Sequence, residues 1–318
     1  MKRILTIIIC CLLSYGVYAQ QEGQYSQYMN NNFLLNPAEG GTEDFTDINL
    51  GLRRQWTGLE GSPRSAFLSV HHAINKKPET EDGRPLPHQG IGGYVIADQI
   101  GPISQTSFYG SFSYHLPLSK EFTLSLGLFL GGKQFNLNTS EIEFDSQRTD
   151  DIVISDNTSS FLPDGAAGAW LYGSSFYAGA SSFQIFNNNL KLPEDISSDL
   201  REGNLARHYF FTSGYKVDLN ENLFLVPSFV LRVVSPAPVQ VDLNMKLRYQ
   251  DKFWAGFSYR NKDAVIALIG ATIKNTIDIG YSYDYNISGL NDFNNGSHEI
   301  LIGYRIHKEF SQAPAQFW

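Results

Sequence analysis

Cysteine occurs only at positions 10 and 11, inside an apolar leader, so the chain beyond it has no thiol for a disulfide or a thiolate metal site. Basic residues are also in short supply, with 24 Lys and Arg against 32 Asp and Glu. Lys2 and Arg3 belong to the leader; without them 22 basic side chains face 32 acidic ones, and the formal charge moves from -8 to -10. A surface of that sign offers a nucleic-acid backbone little to bind, so no nucleic-acid partner is expected. Past the leader, no apolar run approaches the roughly 20 residues a helix needs to cross a bilayer. Walker, Rossmann and zinc-ligand spacings are missing as well, and neither a metal nor a cofactor is expected.

What is present is an export signal followed by alternation. Lys2 and Arg3, the apolar run 4–13 and the small-residue site Val17-Tyr18-Ala19 read as a signal peptide over residues 1–19, cleaved before Gln20. Neither cysteine sits after the small-residue box a lipoprotein would need. Aromatic residues make up 14% of the chain and glycines number 28. Strand-like stretches with one apolar face recur at 45–56, 64–74, 88–100, 103–117, 120–137, 165–172, 175–184, 207–219, 221–235, 238–250, 252–261, 264–274, 276–286 and 297–307. The clearest sets Val239, Val241, Leu243, Met245, Leu247 and Tyr249 against Gln240, Asp242, Asn244, Lys246, Arg248 and Gln250. Phe122, Leu124, Leu126, Leu128 and Leu130 repeat the pattern, as do Ile277, Ile279, Tyr281, Tyr283 and Tyr285. Lipid on one side and water on the other explain both faces. An even count of about fourteen such strands predicts an all-β fold, a transmembrane antiparallel β-barrel over residues 45–318 in a cell outer membrane. A water-soluble β-sandwich is the alternative.

Residues 20–44 lack alternation and carry Asn30, Asn31, Asn32, Asn36, Pro37 and Gly40, which predicts an irregular segment that caps or enters the lumen from the periplasmic side. With the first strand rising from the periplasm, the short connections near 117–120, 173–174, 219–221, 250–252 and 274–276 are all periplasmic. The long ones, 138–163, 185–206 and 287–296, then face outward. Asn75 to Pro87, long and charged on the periplasmic side, breaks this rule.

The connection between the first two strands carries more chemistry than a hairpin requires. Arg53, Arg54, Gln55, Trp56, Thr57, Gly58, Leu59, Glu60, Gly61, Ser62 and Pro63 include two glycines suited to positive φ and a proline that stiffens re-entry into the next strand. One reading has Arg53, Arg54 and Trp56 fixing the conformation of the Gly58–Pro63 loop, with Glu60 or a lumen acid such as Asp242 as the arginine partner. Trp56 would then supply an apolar anchor at a partner-facing surface. The plainer reading pairs Arg53 and Arg54 with lumen or interfacial carboxylates and leaves Trp56 in an interfacial aromatic belt.

The run RRQWTGLEGSP, together with QYSQYMNNNFLLNPAEG upstream at 24–40, resembles the two N-terminal motifs of the PorP/SprF family of Bacteroidetes outer-membrane proteins; the similarity continues to SHEILIGYRI at 297–306. That resemblance implies a non-enzymatic component of the type IX secretion and gliding machinery, one that helps export, attach or anchor cell-surface proteins. Its implied partners are the C-terminal domain of a secreted surface protein or adhesin, other secretion components and outer-membrane lipid. Asn36 and Pro37 belong to the first motif. The competing class is a porin or small-solute transporter, for which Asp242, Lys246, Arg248 and Arg260 would line the path.

Catalytic arrangements are sparse. Ser113 and His115 share the lumen face of one strand, the spacing of a nucleophile and its base, yet away from lipid substrate. His71 and His72 are neighbours, point to opposite faces and cannot chelate one ion together; both read as interfacial. Glu141, Glu143, Asp145, Asp150, Asp151 and Asp156 supply hard oxygen ligands for calcium but lack EF-hand spacing, and a solvated loop explains them.

Overall fold

The computed structural model describes residues 23–138, 158–186, 188–191, 202–235 and 237–307. The signal peptide expected over residues 1–19 and the acidic stretch at 141–156 lie outside the described residues. The strands are β1 (Phe45–Arg54), β2 (Arg64–Ile74), β3 (His88–Ile100), β4 (Ile103–Pro117), β5 (Thr123–Leu137), β6 (Thr158–Tyr172), β7 (Phe176–Phe183), β8 (Asn189–Lys191), β9 (Glu202–Asn204), β10 (His208–Tyr215), β11 (Val217–Asn220), β12 (Leu223–Val234), β13 (Gln240–Tyr249), β14 (Phe253–Arg260), β15 (Ala264–Ile273), β16 (Ile277–Asn286) and β17 (Ser297–His307). Neighbours pair antiparallel around the ring, β1 with β17 and β10 with β12, so the sheet closes on itself. β11 continues β10 beyond Lys216 along β12, and β8 with β9 forms a separate small hairpin, which leaves fourteen staves in the barrel.

The predicted faces hold. Leu243, Met245, Leu247 and Tyr249 point outward and Asp242, Asn244, Lys246 and Arg248 inward, and Leu126, Leu128 and Leu130 are likewise exposed to the lipid side. Closure removes every edge that hydrocarbon could not satisfy.

One strand runs longer than its sequence suggests. β6 begins at Thr158, not 165, and contains Pro163 opposite Gly132 of β5. Pairing with β7 starts only at Ala166, so Pro163 lies where β6 has a strand on one side alone and its missing N–H leaves no ladder bond unmade.

One end of the barrel carries the short turns after β4, β6, β11, β13 and β15, and the other carries the long connections, so the first end faces the periplasm. The exceptional long periplasmic connection, 75–87, braces the start of the barrel: Lys76 Nζ donates to the Thr42 carbonyl at 2.6 Å and pairs with Asp44 at 2.7 Å.

The interior is not filled with water at mid-height. Residues 24–43, in three short 3-10 turns (Tyr28–Asn30, Asn32–Leu34, Pro37–Glu39), lie inside the ring and are almost all buried. Phe33, with no exposed surface, packs among Tyr94, Phe129 and His71 at centroid distances of 6.4, 5.2 and 4.8 Å. Polar wall residues that the sequence assigns to an aqueous lumen therefore meet polypeptide. The segment joins β1 at the periplasmic end and climbs, so that Gln24 reaches Gln240 at the outer end of β13.

Candidate functional site

The upper half of this lumen segment is held by an ionic cluster on the barrel wall. Alternation turns Arg53 of β1, Asp284 of β16 and Glu299 of β17 inward on adjacent strands, near their outer ends. Arg53 Nη2 donates to Asp284 Oδ2 at 2.8 Å, and Nη1 donates to Glu299 Oε2 at 3.1 Å and to Ser26 Oγ at 2.8 Å. Ser26 Oγ in turn donates to Asp284 at 2.6 Å, while the backbone N–H groups of Ser26 and Gln27 donate to the two oxygens of Glu299 at 2.8 and 3.0 Å. The cluster continues around the wall: Arg260 Nε donates to Asp242 at 3.1 Å and Arg232 Nη1 to the same oxygen at 2.9 Å, with Arg260 Nη1 3.5 Å from Asp284. Three guanidinium groups balance three carboxylates, none more than 9% exposed. In a low-dielectric interior such groups persist only as a neutral, hydrogen-bonded set.

Hydrogen bonds and close packing hold the lower half. Asn36 caps the third 3-10 turn by accepting from Ala38 N at 3.0 Å and donates to the Ala169 and Ala180 carbonyls at 3.0 and 3.2 Å, with Pro37 at the first helical position. Ser181 Oγ donates to the Leu35 carbonyl at 2.5 Å. The wall is cut away here: a Cβ on Gly168 would stand 2.0 Å from Asn36 Oδ1, and one on Gly127 2.4 Å from Ala38 N. Tyr28, also in this segment, is buried, which pushes its phenol well above the ordinary range and keeps it neutral.

Among the residues singled out from sequence, Arg53 joins lumen carboxylates, with Asp284 and Glu299 as partners in place of Glu60. Arg54 and Glu60 are exposed. Gly58 and Gly61 do adopt positive φ, 94° and 66°, and so does Trp56 at 49°. The loop through Pro63 is ordered by backbone contacts: Gln55 N donates to Pro63 O at 2.9 Å, Thr57 N to Gly296 O at 2.8 Å and Asn295 N to Thr57 O at 2.7 Å. Its conformation is thus set by the facing loop 287–296, and not by an arginine fork. Asp242 and Arg260 belong to the ionic cluster, while Lys246 and Arg248 lie lower on the wall.

His71 is not interfacial. It is 2% exposed in the lumen, accepts from Gly41 N at 3.3 Å through Nδ1 and places Nε2 3.5 Å from both Glu39 and Asp47. His72 faces away and meets Thr46 Oγ1 at 3.0 Å. Ser113 Oγ and His115 Nε2 are 3.2 Å apart, but both are directed at the Gly40 carbonyl, at 2.5 and 2.9 Å. With Nε2 donating to that carbonyl and Nδ1 facing the Tyr172 hydroxyl at 3.0 Å, the imidazole has no lone pair for the serine proton. The pair fastens the lumen segment.

Sequence reasoning missed Ser26, Asp284, Glu299 and Arg232. A signal was available: Asp284 and Glu299 are acids at inward positions near the outer ends of strands, where an aqueous lumen needs no charge, but register across strands was required to bring them to Arg53. Among the described residues, cavities lie beside the lumen segment at both ends. The outer one is lined by Tyr25, Phe67, Tyr94, Tyr109, Phe210 and Gln105 among others; the periplasmic one is mostly polar.

Among solved structures, the toluene transporter TodX of Pseudomonas putida superposes with a TM-score of 0.52 at 10% identity, over 87% of this chain and 94% of that one. The CymD monoaromatic hydrocarbon channel gives 0.48 at 12%, over 89% and 93%, and the KdgM porin 0.39 at 8%, over 82% and 99%. The TodX likeness places the fold among outer-membrane β-barrels. Comparison with curated proteins returns no match. The family described as "Type IX secretion system membrane protein PorP/SprF" matches residues 17–304.

Proposed function

Since the chain belongs to the PorP/SprF family of type IX secretion system membrane proteins, we propose that it serves that machinery in the outer membrane as a plugged, non-enzymatic docking partner and not as a conduit. It would help export, attach or anchor cell-surface proteins, engaging the C-terminal domain of a secreted protein or adhesin and further components of the secretion machine. The observation that carries this reading is the filled lumen: residues 24–43 are tied to the wall by Arg53, Asp284 and Glu299 above and by Asn36, Ser113, His115 and Ser181 below. A diffusion pore needs a continuous aqueous path, and the polar residues that would line one, Asp242, Lys246, Arg248 and Arg260, are each no more than 6% exposed.

The outward face offers a surface for a partner. The loop 55–63 and the loop 287–296 are joined by reciprocal backbone bonds and together expose Leu59, Leu290 and Phe293, at 38, 38 and 69%. The deciding experiment pairs two measurements on one strain: surface display of a secreted protein and the outer-membrane level of the barrel. Trp56→Ala and Phe293→Ala are expected to reduce display while the barrel level stays normal. Full display in both variants would overturn the docking role at this surface. Pull-down of the tagged protein from outer membranes should bring down secretion components; their absence would count against the proposed assembly.

A further inference from the structure

We infer that the outward face of β1 and β2 carries a site for the phosphorylated headgroup of an outer-leaflet lipid, with Arg54 and Arg64 as its anion-binding pair. The inference stands apart from the secretion reading and rests on two opposed cations placed where the lipid-facing wall ends.

Arg54 closes β1 and Arg64 opens β2, and the two are direct partners in the antiparallel ladder. They share the parity of Leu50, Leu52 and Leu68, which are 41, 51 and 51% exposed, so both side chains leave the barrel on its lipid side. Directly opposed residues on one face stand with Cβ atoms about 5 Å apart, and like charges in that position destabilise the pair. Among the described residues, neither guanidinium has a carboxylate within 4.0 Å or a hydrogen-bond acceptor. The outward positions of β17, β1, β2 and β3 hold no acid: Glu299, Asp47 and Asp98, the acids of those strands, all turn into the lumen. Glu60 and Asp292 are on the exposed loops above. The two positive charges thus face the membrane without a counter-ion from the protein.

Their depth is that of headgroups. His298 of β17 stands opposite Arg54, and Tyr283 of β16 stands opposite His298, whose Nδ1 is 2.7 Å from the Tyr281 hydroxyl. Tyrosines gather at the boundary between hydrocarbon and water, so the arginines beside them lie at that boundary. On the other flank Gln99 of β3 stands opposite Arg64 and adds an amide donor. Below the pair, Leu50, Leu52, Leu68 and Ile300 form an apolar wall for acyl chains, along which the arginine stems can lie while their charged ends stay in the polar layer. A phosphate between the two guanidiniums would cancel their repulsion and accept the parallel hydrogen bonds that each planar fork offers. Because this is the end with the long loops, the lipid belongs to the outer leaflet.

Full-length protein in a mild detergent would be mixed with bisphosphorylated lipid A, with the same lipid after phosphatase treatment and with inorganic phosphate, and bound ligand read by native mass spectrometry. Retention of lipid A about 10-fold above its dephosphorylated form is expected, falling to the level of that form in the Arg54→Gln/Arg64→Gln double variant. Heat-modifiable migration checks that the variant is a folded barrel. Retention of lipid A no greater than that of the dephosphorylated lipid by the wild-type protein overturns the site without recourse to any variant. Undiminished retention by the folded double variant overturns it too, since the headgroup would then sit elsewhere on the wall. Inorganic phosphate bound as tightly as lipid A would make the ligand a free ion and overturn the assignment to lipid.

Discussion

Arg53 and Arg54 are adjacent in sequence and opposite in consequence. Arg53 is 5% exposed and satisfies two carboxylates and the Ser26 hydroxyl, while Arg54 is exposed at the rim. Truncating Arg53 strands Asp284 and Glu299 in the interior, and removal of one partner from a buried ionic set costs about 3–5 kcal/mol. Arg53→Ala is therefore expected to lower the temperature at which the purified barrel loses its compact electrophoretic migration, and Arg54→Ala to change stability by no more than about 0.5 kcal/mol. Equal effects of the two substitutions would contradict the assignment of faces at this hairpin. The doublet was legible as unusual from sequence alone, but the division of labour between its members was not: period-2 alternation says that one arginine points inward, and only the register of β1 with β17 says what it meets.

At the level of the strand, the two faces of β13 predict a clear asymmetry. Leu243 is 54% exposed toward lipid in the middle of its strand, and Leu243→Arg should cost about 2–4 kcal/mol, read as reduced assembly or a lowered unfolding midpoint. An unaltered midpoint would mean that this residue does not face hydrocarbon. The inward glycines that accommodate the lumen segment give a second test. Gly127→Ala or Gly168→Ala would place a methyl group against Ala38 or Asn36, overpacking worth about 1–3 kcal/mol, and should expose residues 24–43 to protease. Gly110→Ala is the control, since the nearest atom to its Cβ is 4.0 Å away. Cleavage within the segment that does not differ between these variants would argue against its dependence on the cut-away wall. These glycines carry no signal of their own in the sequence, because a barrel wall rich in glycine reads the same whether or not something packs against it.

Across the whole molecule, closure and plugging make separate predictions. A closed barrel should show β-rich circular dichroism and migration that changes on heating. In planar bilayers the intact protein should conduct little, and a variant lacking residues 24–40 should either conduct steadily or fail to assemble. Steady conductance by the intact protein would remove the plugged reading and favour a porin. The long periplasmic connection also makes sense at this scale: Lys76 holds the base of the segment where it turns into β1.

Alternation, turn spacing and the lack of long apolar runs by themselves determined a fourteen-stave membrane barrel, its inward and outward faces and most strand limits, because a strand between lipid and lumen must sort its side chains by the polarity on either side. The motifs at 24–40 and 53–63 carried the family. What occupies the lumen was decided only by tertiary structure. Ser26 reaches Asp284 and Glu299 across more than 250 residues, and Asn36 reaches Ala169 and Ala180 from more than 130 away. Polar and small residues on an inward face are equally compatible with water or with a docked polypeptide, and nothing local in the chain distinguishes the two. The choice is made when closure of the ring brings the inward carboxylates of β16 and β17 beside Arg53 and leaves an irregular segment as the group that completes their hydrogen bonds.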